Sequence, residues 1–130
     1  MSIVNIGIDS ADIERFTRLL AQDREYLFSM LFGIEERAAM PLLNGKREAS
    51  YMAGRWAAKE ATLKALGTGI GPLILPDVGI FALVSGQPYI TLYNEALKHS
   101  QELNIDRWHI SITHVKEFAT AYVIAERTHR

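Results

Sequence analysis

One long alanine-rich helix constrains this chain more than any other feature of its sequence. Residues 49–66 contain no proline and carry six alanines, and alanine is the strongest helix former. Gly67 follows directly and is a favourable residue for ending a helix. Ala53, Ala57 and Ala61 are four residues apart, so they share one face, and their small side chains imply close packing against a neighbouring element. The fold is therefore expected to be built around this helix.

Shorter helices and strands are predicted on either side of it. A segment rich in β-branched residues predicts a strand at 3–9, and apolar residues at helical spacing predict a helix from Ile13. Further helices are expected at 23–32, 35–39 and, capped by Asn94, 94–103. Two hairpins are predicted, pairing 80–84 with 89–93 and 108–113 with 118–126, while 67–72 is a loop. This pattern predicts an α+β fold in a single domain spanning residues 1–130, with antiparallel strands and one long central helix.

The spacing of apolar side chains also predicts residues of the core. Those expected there are Phe28, Met30, Leu31, Met52, Leu63, Phe118 and Tyr122. No other function is assigned to them.

Composition excludes several classes of function. The net charge of −1 is a poor match to a general nucleic-acid binder. Cysteine is absent, which excludes disulfides, thiolate metal ligands and a cysteine nucleophile. No apolar stretch is long enough to cross a membrane, and residues 1–5 lack the pattern of an export signal. A cytoplasmic location is expected, with neither a membrane nor a nucleic acid as partner.

Two positions could carry chemistry. Asp9 follows Gly7 at the end of the predicted first strand, where it either faces a ligand or caps the next helix. Glu60 and Lys64 are four residues apart on the long helix and share a face with Trp56. They form either an exposed ion pair or, because the alanine face beside them is closely packed, part of a cleft.

Taken together, the carboxylates of Asp9 and Glu60 could hold one hard cation. Magnesium typically takes one or two carboxylates and completes its coordination with water and substrate phosphates. Lys64, one turn after Glu60, could neutralise phosphate charge. Such a set suits phosphoryl chemistry, although the spacing does not identify the substrate.

The motifs around these residues resemble a known family. Four segments closely resemble holo-acyl-carrier-protein synthase, of the 4′-phosphopantetheinyl transferase superfamily. They are Gly7-Ile8-Asp9, residues 12–16, Ala-Gly-Arg-Trp-Ala-Ala-Lys-Glu-Ala at 53–61, and residues 64–69. Residues 108–114 and 119–123 are similar to the family's last hairpin. The resemblance spans almost the whole chain in order, and 53–61 is its most specific part. It implies the 4′-phosphopantetheinyl transferase fold and transfer of phosphopantetheine from coenzyme A to a serine of an apo acyl carrier protein, with 3′,5′-ADP leaving.

The resemblance also implies roles for individual residues. Asp9 and Glu60 match the ligands of Mg²⁺, Glu60 is the expected base for the serine proton, and Lys64 would offset charge on the leaving phosphate. The expected coenzyme A contacts are Lys46, Arg47, Arg55 and His114. His114 is alternatively an exposed histidine of a turn. The expected contacts to the acidic carrier are Arg15 and Arg24.

Assembly and context follow from the same resemblance. A homotrimer with active sites at the subunit boundaries is expected, with the tail strands burying one face inside and lending the other to a neighbour. The carrier belongs to fatty acid biosynthesis, and thus lipid metabolism, or to polyketide synthesis. Two alternatives remain: a magnesium-dependent hydrolase of a pyrophosphate bond, and a non-catalytic module that binds carrier proteins. The second alternative has no need of Glu60 and Lys64.

Overall fold

The structure is a computed structural model, and it describes residues 1–67 and 73–128. Residues 68–72, most of the predicted loop, lie outside the described residues. The elements, in chain order, are β1 Ser2–Asp12, α1 Ile13–Gln22, α2 Arg24–Leu31, α3 Ile34–Ala39, α4 Gly45–Ala65, a 3₁₀ helix Leu75–Asp77, β2 Val78–Ala82, β3 Pro88–Leu92, α5 Asn94–Glu102, β4 Arg107–Val115 and β5 Phe118–Arg127. The predicted α+β fold is confirmed, with antiparallel strands and one long helix.

The strands form two antiparallel sheets. β5 lies between β1 and β4 in a three-stranded sheet, and β2 pairs with β3 in a separate two-stranded sheet. Along β5 the side chains alternate, so that Ala119, Ala121, Val123 and Ala125 are buried. This face and β1 pack against α4, which places the long helix at the centre of the fold, as predicted.

Close packing between α4 and β1 depends on small residues. Ala53, Ala57 and Ala61 are fully buried, as the sequence predicts. Opposite them, a Cβ atom added to Gly7 would lie 1.8 Å from the carbonyl oxygen of Ala61. Gly7 therefore serves the contact between strand and helix.

A buried ion pair connects α4 to α3. Lys59 Nζ lies 2.6 Å from Glu36 Oε1, and both side chains are almost completely inaccessible. Lys59 also donates to the carbonyl oxygens of Leu75, at 3.1 Å, and Val78. Burial lowers the pKa of Lys59 to about 8 against the opposing influence of Glu36. Removing one partner of such a pair typically costs about 3–5 kcal/mol, so these contacts join α3, α4 and the start of β2 firmly.

Several predicted details are wrong. Helix α4 begins at Gly45, earlier than predicted, because the Asn44-Gly45 turn signal leads directly into the helix. Asn94 does not cap α5; its side chain donates to Asp77 Oδ1 at 2.9 Å.

The core prediction is also only partly correct. Leu31 and Met52 are fully buried, and Phe28 and Leu63 pack against the core. Met30, Phe118 and Tyr122 are instead exposed, the last two because they point to the face of β5 opposite α4. In the part of the chain that the structure describes, no helix has both the length and the apolar character of a membrane span.

Candidate active site

Asp9 lies within β1, at a position where the strand passes α4. The strand continues to Asp12, so Asp9 is not at its end as predicted. Asp12 is the residue that caps α1, accepting a hydrogen bond from the Glu14 backbone N–H at 3.0 Å. Asp9 is therefore not a helix cap. Its side chain is largely buried, and Oδ2 has no hydrogen-bond partner among the described residues.

Lys64 reaches across from the last turn of α4 to Asp9. Its Nζ lies 2.7 Å from Asp9 Oδ1 and also donates to the carbonyl oxygen of Ile8 at 3.0 Å. The alternative of an exposed ion pair between Glu60 and Lys64 is therefore wrong, because Lys64 pairs with Asp9 instead. The two positions singled out from the sequence meet in space.

Glu60 is half-buried beside this pair. Burial raises the pKa of the Glu60 carboxyl above its ordinary value, and the negative charge of Asp9 raises it further. Lys64 and Arg15 act in the opposite direction. The Glu60 carboxylate makes no hydrogen bond within residues 1–67 and 73–128. Two carboxylates thus repel each other in a partly desolvated place, a situation that a bound cation would relieve.

Arg15 forms the edge of this site from α1. Its guanidinium lies 5.3 Å from the centre of the Trp56 ring and 5.8 Å from that of Phe16. Arg15 itself is exposed. Phe16 is buried, so its ring, over which the guanidinium lies, is held in the core. A cation over aromatic faces is held in place while its outer nitrogens stay available to a partner.

The residues present fit a magnesium ion. The described chain contains no cluster of three or more histidine or acidic side chains that could enclose a metal by themselves. Asp9 and Glu60 offer carboxylate oxygens, including the buried Oδ2 that lacks a partner here. Magnesium is commonly held by only one or two carboxylates, with the remaining positions filled by water and phosphate oxygens.

A cavity of about 480 Å³ lies on another side of α4. Arg55 and Tyr51 line it from the helix, with the guanidinium 4.3 Å from the centre of the Tyr51 ring. Phe81 and Tyr89 line it from the second sheet and stack with their ring centres 5.7 Å apart. Aromatic walls around one arginine suit a flat, anionic ligand such as a nucleotide.

His114 contacts α4 from strand β4. It is the penultimate residue of β4 and not part of a turn, although it is exposed. Its Nε2–H donates to the Ser50 carbonyl oxygen at 3.1 Å, and the ring packs where Gly54 lacks a side chain.

The remaining predicted residues are near the start of α4. Lys46 and Arg24 line a groove of about 550 Å³. Arg24 forms a bidentate ion pair with Glu48, at 2.5 and 2.7 Å, and Arg47 is exposed. Asp9, Glu60, Lys64 and Arg15 are therefore brought together. Of the four predicted coenzyme A contacts, Lys46, Arg47 and Arg55 are distributed along α4 and His114 is on β4, and neither of the two cavities described here, within the part of the chain that the structure describes, is lined by all four.

Sequence reasoning missed the residues around Arg55. Tyr51, Arg55 and Lys59 are four apart, a spacing that places them along one helix face. That signal was available, but the partner of Lys59, Glu36, is distant in sequence and no local pattern connects the two.

Comparison with known proteins agrees with this geometry. The profile of the 4′-phosphopantetheinyl transferase superfamily matches residues 5–123. The chain is 42% identical to a holo-[acyl-carrier-protein] synthase of Alkaliphilus metalliredigens (strain QYMF) over 123 residues, covering 95% of this chain and 98% of that protein.

Solved structures give the same result. A Bacillus anthracis holo-(acyl-carrier-protein) synthase in complex with coenzyme A (3′,5′-ADP) is 34% identical, with a TM-score of 0.78 and coverage of 97% of this chain and 98% of that one. The Helicobacter pylori holo-[acyl-carrier-protein] synthase in complex with coenzyme A is 31% identical, with a TM-score of 0.78, 93% of this chain and 99% of that one being covered.

Proposed function

Since this chain belongs to the 4′-phosphopantetheinyl transferase superfamily, as a holo-acyl-carrier-protein synthase, we propose that it transfers phosphopantetheine from coenzyme A to a serine of an apo acyl carrier protein in a magnesium-dependent reaction that releases 3′,5′-ADP. The observation that carries this proposal is the meeting of Asp9, Glu60 and Lys64 between β1 and α4. Two carboxylates and an ammonium group, from two elements, suit a magnesium-assisted attack on a pyrophosphate.

Asp9 and Glu60 would hold the magnesium ion. When bound there, the ion would neutralise charge on the pyrophosphate of coenzyme A and polarise it for attack. The unpartnered Oδ2 of Asp9 and the raised pKa of Glu60 support this assignment, because both indicate carboxylate charge without enough compensation.

Glu60 is the proposed general base. The serine oxygen of the carrier attacks the β-phosphorus, the bond from that phosphorus to the oxygen of 3′,5′-ADP breaks, and the serine proton passes to Glu60 directly or through a water. The Glu60 carboxylate is half-buried and makes no hydrogen bond among the described residues, so an oxygen of it is available to accept that proton. Lys64, which already lies beside Asp9, is in reach of charge that develops on the leaving phosphate.

Coenzyme A binding is assigned to Lys46, Arg47, Arg55 and His114. Arg55 has the best support, since it lines the aromatic cavity and its Nε has no acceptor among the described residues. Lys46, Arg47 and His114 do not line that cavity, and a second subunit that completes the site would bring further residues to them.

Carrier binding is assigned to Arg15 and Arg24. Arg15 is exposed at the edge of the catalytic residues, where it could contact the acidic carrier next to its serine. Arg24 is already paired with Glu48 and would have to exchange that partner or bind through its exposed part.

A homotrimer is proposed as the working assembly. The face of the three-stranded sheet that points away from α4 carries exposed apolar side chains, namely Ile6, Ile8, Val115, Phe118 and Tyr122. An apolar sheet face of this kind is commonly covered by another subunit. The tail strands would thus contribute to the core on one side and to the assembly on the other.

Intact-mass analysis provides the test. The chain is incubated with apo carrier, coenzyme A and Mg²⁺, and the carrier is expected to gain the mass of phosphopantetheine while 3′,5′-ADP appears. Omission of Mg²⁺, with a chelator added, should stop the reaction. Release of free phosphopantetheine with an unmodified carrier would support the hydrolase instead, and no reaction of either kind would refute the proposal.

Asp9→Asn and Glu60→Gln test the proposed metal ligands. Each keeps the shape of the side chain and removes its charge, so each should nearly abolish transfer in a folded protein. Near-normal activity of either variant at saturating Mg²⁺ would refute the assignment of the metal ligands.

A further inference from the structure

The cavity beside Arg55 contains two opposite charges that do not pair. Among its described lining residues, Arg55 is the only base and Glu36 is the only acid. A guanidinium and a carboxylate in one cavity would ordinarily form a bidentate ion pair, which is among the strongest pairings of charged side chains. No such pair is present among the described residues, so the structure must hold the two groups apart.

The Glu36 carboxylate is held by other donors. Its Oε1 accepts a hydrogen bond from Lys59 Nζ at 2.6 Å and a longer one from the Gly33 N–H at 3.4 Å. Its Oε2 accepts from the Ile80 backbone N–H at 2.9 Å. Both oxygens are thus occupied, and the side chain is almost completely buried.

Arg55 is left without an anionic partner. Its guanidinium lies 4.3 Å from the centre of the Tyr51 ring, a contact that fixes the side chain without using its N–H donors. The buried Nε finds no acceptor in residues 1–67 and 73–128. Lys59 and Arg55 are four residues apart on α4, and the positive charge of Arg55 lies close enough to act on Lys59. The one acid among the described lining residues of the cavity, Glu36, therefore pairs with Lys59 and not with Arg55, while Asp77 also acts on Lys59 from outside the cavity lining.

We propose that Lys59 is a positioning residue for nucleotide binding: by holding the Glu36 carboxylate, it keeps Arg55 free to bind a phosphate of coenzyme A. The inference rests on the proposed function, in which Arg55 is a ligand of coenzyme A. Lys59 itself, being fully inaccessible, does not touch the nucleotide. Without Lys59, the buried Glu36 carboxylate would lack a counter-ion and would turn to Arg55, which would then no longer be available.

The test compares three variants by the affinity for 3′,5′-ADP, measured by titration calorimetry on the full chain. Lys59→Met, which keeps most of the apolar stem and removes the charge, should weaken binding by about tenfold or more, the loss of a charge-assisted contact. Glu36→Gln removes the competing charge and should bind at least as tightly as the wild type. The double variant should return to within about threefold of the wild type, because Arg55 is free again.

The opposite effects of the two single variants separate positioning from a purely structural role. Both variants break the same buried ion pair and should both lower the unfolding temperature. If the pair acted only through stability, both would weaken binding and the double variant would show no rescue, and that result would overturn the inference. Should Lys59→Met fail to fold, a tenfold loss of affinity in Glu36→Gln or in the double variant would overturn it equally well.

Two further variants isolate the causes. Arg55→Gln should weaken 3′,5′-ADP binding; normal binding by this variant would refute the assignment of Arg55 in the proposed function, whichever way Lys59→Met behaves. Ile105→Ala removes a buried side chain that does not line the cavity, so it should lower stability and leave the affinity unchanged. If Arg55→Gln weakens binding while Lys59→Met does not, the proposed function stands and the role of Lys59 is refuted.

Discussion

Substitution of Gly7 by alanine should damage the fold and the proposed catalytic site together. The added Cβ would lie 1.8 Å from the Ala61 carbonyl oxygen, and the contact would have to lengthen to at least 3.0 Å. Because the atom that it meets belongs to the backbone of α4, no side chain can turn away, and strand and helix must separate. Overpacking of a tight core contact costs about 1–3 kcal/mol and occasionally more, and we expect the upper end, about 3 kcal/mol.

Thermal unfolding followed by circular dichroism measures that cost. A loss of about 3 kcal/mol corresponds to a fall in Tm of roughly 10 °C for a chain of this size. Transfer activity should fall as well in the protein that remains folded, since the same displacement moves Asp9 on β1 away from Glu60 and Lys64 on α4.

Gly54→Ala is the matched control, on the side of α4 that faces β4. Its Cβ would lie 3.1 Å from His114 Nε2 and 3.3 Å from Ile112 Cγ2, both side-chain atoms that can shift. Alanine also favours the helix by about 1 kcal/mol over glycine, so the net change should stay within about 1 kcal/mol. A Gly7→Ala protein as stable and as active as the wild type would refute the reasoning about the contact of strand and helix.

Three further outcomes are expected. Burial and Asp9 raise the pKa of Glu60, so the stability of the metal-free protein should fall as pH rises from the ordinary glutamate pKa through that raised value. Glu60→Gln should lack this fall and should melt at a higher temperature at neutral pH. Urea titrations that give the same dependence of stability on pH for the variant and the wild type would contradict the shift. Arg15→Glu should raise KM for the carrier with little effect on KM for coenzyme A. High salt should narrow the difference in carrier KM between the variant and the wild type. Equal effects on both substrates would point to misfolding. Light scattering should give three times the chain mass, and a monomer would refute the assembly. Asp9→Asn chains reassembled with Arg55→Glu chains should regain part of the activity if the two residues serve one site from different subunits. A trimer without this rescue would mean that one subunit contributes both residues to the site.

The sequence by itself determined most of the elements and the three residues proposed for catalysis. The long helix, the strands and both hairpins follow from alanine content, apolar spacing and turn residues, which act over a few neighbouring positions. Asp9, Glu60 and Lys64 were identifiable because their motifs are local and specific, and the structure brings them together.

Only the tertiary structure decided which partner each charge takes. Lys64 pairs with Asp9, distant in the chain, and not with Glu60 on its own helix, because packing of α4 on β1 brings Asp9 within 2.7 Å. The same packing leaves no room for a side chain at Gly7, and Lys59 is the partner of the buried Glu36. Local spacing limits which pairs are possible within one element, whereas burial and long-range contacts select among all pairs, and that selection leaves Arg55 free beside its cavity.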